Sequence, residues 1–128
     1  MGLDTYAVYG KGHPKYNPEP DALNSIPDEL FPKNRLTGGL FSGGGSSFRG
    51  KVYNEWVEYI TNVSLYEDQI DPEVVGEMTD LLLAADEKKF KWFDENRNDY
   101  NITWEETQDL AEWFRVVSNE NGTIISWY

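Results

Sequence analysis

Within GGGSSFRGKV, residues 43–52, Gly45 is followed by four residues and then by Gly50-Lys51. This is the spacing of a phosphate-cradling P-loop. That chemistry needs a strand feeding the glycines, backbone N–H groups aimed at phosphates, a lysine for charge, and a Ser or Thr directly after it for magnesium. Here Val52 occupies that last position, so nucleotide chemistry is not expected. A lesser demand, a small anion or ligand held at a helix start, would use Ser46, Ser47, Arg49 and Lys51 of the Gly-rich loop 43–51. A second pattern lies in FDENRNDYNITWEE. Asp94, Asn96, Asn98, the Tyr100 carbonyl and Glu105 take the ligand positions of a calcium loop over 94–105. Asp99 stands where that loop needs glycine, and Ile102 falls one residue later than the usual apolar anchor. The plainer reading is a polar interhelical loop followed by a helix cap. His13 is the sole histidine, in a Pro-rich context with no motif around it. No spacing of carboxylates selects an acid–base pair. The residues therefore lean away from an enzyme, and no catalytic residue, cofactor or metal is assigned.

The elements that must position these residues follow from periodicity. LDTYAVYG alternates like a short strand ending at Gly10. Residues 11–35 hold five of the six prolines and read as a long surface loop with one helical turn at PDEL. VYNEWVEYITNV places Val52, Trp56, Tyr59, Ile60 and Val63 on one helical stripe, with Asn54, Glu55 and Glu58 off it. The glycines lead into that helix, with Ser46 or Ser47 as its N-cap. DPEVVGEMTDLLLAADEKKFKWF starts with Asp71 as N-cap and Pro72 at the first helical position, runs on as one helix, and buries Val74, Val75, Met78, Leu81 and Leu82. Thr103 and Glu106 form an S/T-x-x-E capping box for a helix whose apolar face is Leu110, Trp113, Phe114 and Val117. TIISWY reads as a closing strand. The terminal strands are expected to pair with each other or with a short strand near LTGGLF. The expectation is an α+β fold: three main helices packed on a small sheet that includes the N- and C-terminal strands, in a single domain over 1–128.

The chain of 128 residues has a formal net charge of -12 and no cysteine. Residues 1–54 carry six Lys or Arg against five Asp or Glu, and residues 55–128 five against eighteen. Such an acidic second half repels phosphates and argues against direct nucleic-acid binding. With no cysteine there is no disulfide or thiolate zinc framework. No signal-like start or membrane-length apolar run is present, so a cytoplasmic protein that does not enter membranes is expected. The triplets at Asn62, Asn101 and Asn121 then read as chance glycosylation matches.

GLDTYA, SFRGKVYNEWVEYITNVSLYEDQIDPEVVGEM and DLAEWFRVVSNENGTIISWY resemble segments of a family of small uncharacterised proteins from bacteria and their phages. The resemblance covers the N-terminal strand and most of 42–82 and 102–128, and omits the Pro-rich loop. It implies a prokaryotic or phage origin, with host cytoplasm as the location if phage-encoded, and carries over no activity, cofactor or site residue. The leading expectation is a non-enzymatic accessory protein that binds a macromolecular partner, a protein and a basic one. The alternatives are an acidic DNA-mimic decoy with Glu105, Asp109 and Glu112 on one helical stripe and Glu73, Glu77 and Asp80 on another, the anion or ligand binder at 43–51, and the calcium module at 94–105.

Overall fold

A computed structural model describes residues 3–10, 13–14, 26–31, 36 and 47–127. Ser46, residues 37–41 of the LTGGLF segment and most of the Pro-rich loop 11–35 lie outside the described residues. Four strands, β1 (Asp4–Val8), β2 (Ser47–Arg49), β3 (Gln69–Ile70) and β4 (Thr123–Trp127), form one antiparallel sheet in the order β2-β1-β4-β3. The two terminal strands are its centre. They pair over their full length, from Asp4 opposite Trp127 to Val8 opposite Thr123. The expected turn at PDEL is a single 3-10 turn, Asp28–Leu30.

The helices are α1 (Gly50–Thr61), α2 (Pro72–Ala84), α3 (Glu87–Asn96) and α4 (Trp104–Asn119). The protein is α+β, with four α-helices among the described residues where three main helices were expected. The segment read as one long helix breaks at Ala85, which is extended at φ -67° and ψ 129°. Asp86, read as continuing that helix, instead caps α3 by accepting a hydrogen bond from the Lys89 N–H at 2.9 Å. The break lets α3 turn back so that Phe90 and Phe93 reach Trp56, with ring centroids 5.6 and 5.2 Å away.

Alternation along β1 and β4 sends Thr5, Ala7 and Ile124 to the helix-bearing face and Tyr6, Val8 and Ile125 into a separate buried cluster. All five β1 positions are buried. On the helix side, aromatic edges lock the layers: Phe48 of β2 meets Trp113 of α4 at 4.8 Å and Tyr53 of α1 at 5.6 Å. Antiparallel α2 and α4 are tied where the buried Thr79 hydroxyl donates to the Val75 and Phe114 carbonyls at 2.7 and 3.2 Å.

The inward face of α1 differs from the expected stripe. Tyr53, Asn54, Trp56, Val57 and Thr61 are buried, while Val52, Tyr59, Ile60 and Val63 are only partly covered. The face is shifted because Asn54 is a structural residue: its Oδ1 accepts from the Leu65 N–H at 2.7 Å and its Nδ2 donates to Glu58 at 3.4 Å, pinning the loop after α1. Leu81, expected in the core, is 47% exposed, and Thr79 takes an inward place on α2 beside Val75, Met78 and Leu82.

Candidate functional site

The Gly-rich region is described from Ser47 onward, and there Ser47, Arg49 and Gly50 each have a structural setting. Ser47 is buried in β2 rather than capping α1. The N-cap position falls to Arg49, which makes no side-chain cap. Its guanidinium instead pairs across the ladder with Asp4, Nε to Oδ1 at 3.1 Å. The Lys51 N–H donates to the Leu3 carbonyl at 3.3 Å, so the first turn of α1 is stitched to the start of β1, while the Lys51 side chain is exposed. Gly50 is required by close packing: a Cβ there would overlap Thr5 Oγ1 and lie 3.1 Å from Leu3 Cδ2.

Residues 94–105 span the end of α3, the connection 97–103 and the start of α4. Asp94 and Asn96 belong to α3, and Asn96 Nδ2 donates to the Trp92 carbonyl at 2.7 Å. Asn98 closes the loop on itself. Its Nδ2 donates to Asp94 Oδ1 at 2.6 Å and to the Ile102 carbonyl at 2.8 Å, and its Oδ1 accepts from the Ile102 N–H at 2.9 Å. Glu105 sits in the first turn of α4 and is exposed. Among the described residues no group of three or more His, Cys, Asp or Glu side chains is arranged to hold a metal. His13 stacks on Tyr9 with ring centroids 4.0 Å apart.

The capping box is present in full: Thr103 Oγ1 accepts from the Glu106 N–H at 3.1 Å, and Glu106 Oε1 accepts from the Thr103 N–H at 3.1 Å. Its second carboxylate oxygen accepts from the buried Tyr53 hydroxyl at 2.5 Å. One glutamate thus caps α4 and joins it to α1.

Sequence reasoning missed the place where the helices leave an opening. The C-terminal end of α2 and the first half of α4 border an opening, with α1 behind them. It is a cleft of about 170 Å³ with Trp56 at its base, Leu82, Leu83 and Trp104 on its walls, and Gln108 and Glu112 at its rim. Leu83 is 47% exposed there and Trp104 is half-buried, held from behind by Phe90 at 5.9 Å. No lysine or arginine is among the described residues lining it. Glu112 binds Arg115, one turn on, at 2.6 and 2.8 Å. The hydrogen bond and the charge of Glu112 raise the pKa of the Arg115 guanidinium above its ordinary value. The only sequence signal for the cleft was Trp104 at the first position of a capped helix, outside the apolar face.

A second, larger depression of about 390 Å³ lies between the end of α1 and the start of α2, bordered by Glu58, Glu67 and Asp71. Three aromatic side chains are exposed elsewhere among the described residues: Trp92, stacked on Tyr59 at 5.2 Å, Tyr100 in the α3–α4 connection, and Tyr66 in the loop after α1. Among the described residues no helix is long and apolar enough to cross a membrane. No protein family, no curated protein and no solved structure matches this chain.

Proposed function

We propose that the protein is a non-enzymatic accessory protein, bacterial or phage in origin and cytoplasmic, that works by binding a protein partner through the α2–α4 face. The observation carrying this reading is the cleft itself. An exposed leucine beside an aromatic wall, ringed by polar side chains, is the anatomy of a small interface core with a wet rim. The cleft brings together Thr107, Gln108 and Glu112 as its polar side chains, a set with hydrogen-bonding capacity but no nucleophile–base arrangement. Sequence-independent charge also favours a protein over a nucleic acid. α2 carries Glu73, Glu77 and Asp80 with no basic residue, and α4 carries four acidic residues against Arg115.

The test is a random 16-residue peptide library displayed on phage and panned against the folded full chain, with the Leu83→Gln variant as counter-selection. Leu83 is at the surface, and Gln is a good helix former, so the variant should keep its fold. The expected result is enrichment of peptides that bind the parent at least tenfold more tightly than the variant. Enrichment only of peptides indifferent to the substitution would remove the α2–α4 face from consideration.

A further inference from the structure

We infer that the cleft between α2 and α4 is a docking site for a basic segment of a partner protein, which seats one phenyl-sized apolar side chain between Leu83 and Trp104. This rests on the partner-binding reading above and adds the chemistry of the occupant.

Size sets the anchor. An opening of about 170 Å³ has the size of one aromatic ring or one branched aliphatic side chain, the apolar part of which would lie against Leu83 and Trp104. A ligand that filled it would cover Leu83 and the open edge of Trp104 and rest on Trp56, which is already buried.

Charge sets the flanking residues. The cleft opens at the C-terminal end of α2, where the last carbonyls give the negative end of the helix dipole. That end has no basic side chain in its last turn. Across the opening stands Glu112, with Glu105 and Gln108 on the same helical stripe. A cation presented just outside the apolar anchor therefore meets a carboxylate on one wall and a helix C-terminus on the other. A carboxylate brought to the same place meets both as repulsion. Arg115 now occupies one oxygen of Glu112; an incoming Lys or Arg joins it on the carboxylate or displaces it, since an exposed pair of this kind is held weakly.

The same library decides the occupant. Its cleft-dependent pool is expected to be net positive, with Phe, Leu, Ile or Met at a single shared position, and replacing that residue by Ser in a synthesised peptide should weaken binding more than tenfold. Amide resonances of Leu83 and Gln108 and the Trp104 indole should move on titration. Affinity should fall steeply between 50 and 300 mM NaCl in proportion to the peptide's charge. Arg115→Ala should tighten binding severalfold by freeing Glu112, and Glu112→Arg should weaken it tenfold or more. A cleft-dependent pool that is neutral or acidic would overturn the basic occupant while leaving the partner-binding reading in place. Absence of any cleft-dependent peptide would defeat both. Concentration-dependent dimerisation abolished by Leu83→Gln would assign the cleft to a second copy of this chain and overturn the proposal.

Discussion

Asn62, Asn101 and Asn121 are the three described non-glycine residues with positive φ, at 61°, 54° and 53°. They are also the first residues of the three glycosylation-like triplets, so the asparagine of each has a conformational reason. Each asparagine stands where the chain leaves or approaches a helix in a left-handed turn, which Asn tolerates and residues without a short polar side chain resist. Replacing any one by Ala should cost about 1 kcal/mol, whereas Asn→Gly should be close to neutral, as read by urea unfolding. Asn62→Ala and Asn62→Gly with equal stability would contradict this. Two glycines should respond with opposite sign. Gly50→Ala forces a Cβ into Thr5 and Leu3 and should destabilise by about 1–3 kcal/mol, partly recovered when Thr5→Ala is added. Gly76→Ala lies within α2 with only Ser118 Oγ at 3.8 Å and should stabilise by about 0.5–1 kcal/mol. Gly50 was legible in sequence as part of a tight lead-in, but the atom it makes room for, across the sheet on β1, was not.

Helix ends carry the predictions at the scale of elements. α2 and α3 both begin at aspartate, yet only Asp86 accepts a cap hydrogen bond; Asp71 makes none to its helix and accepts instead from Gln69 Nε2 at 3.2 Å. Asp86→Ala should therefore cost about 1 kcal/mol in thermal or urea melts, and Asp71→Ala less. Equal losses would place the α2–α3 break under tertiary control alone. At α4 the cap doubles as a joint between helices, through Tyr53 and Glu106. Glu106→Ala removes acceptors for the Thr103 N–H and the Tyr53 hydroxyl together, so it should cost more than Tyr53→Phe, about 2–3 kcal/mol against about 1. A double-mutant cycle measures the shared part. The capping box was visible as a Thr and a Glu three residues apart, but the reach from Glu106 to a tyrosine on another helix left no local trace.

The whole molecule is organised around its two ends. β4 is flanked by β1 on one side and β3 on the other, so deleting residues 123–128 removes both ladders and exposes the sheet face that the helices cover. That truncation should abolish cooperative unfolding; a truncated chain melting as sharply and as hot as the parent would refute a central role for β4. Charge acts on the same scale. With a net charge of -12 and no basic residue on α2, the folded chain bears self-repulsion that salt screens. The melting temperature should rise on going from about 10 to 150 mM NaCl, and a fall would mean that ion pairs such as Arg49–Asp4 outweigh the repulsion.

What the residues alone determined was local: the β1 and β4 alternation, the Pro72 start of α2, the Thr103–Glu106 cap and the apolar face of α4 are written in neighbours a few positions apart, where backbone geometry and side-chain period are decided. The break at Ala85 was not, because Leu81 to Phe93 keep a helical pattern on either side of it. The chain turns there because doing so buries Phe90 and Phe93 against Trp56, a contact between segments more than thirty residues apart. Asn54 was likewise read as surface because an asparagine reveals its burial only when the loop it bonds is in place. The cleft belongs to the same class. It is lined from α1, α2 and α4 together, and no spacing within any one helix records an opening between them.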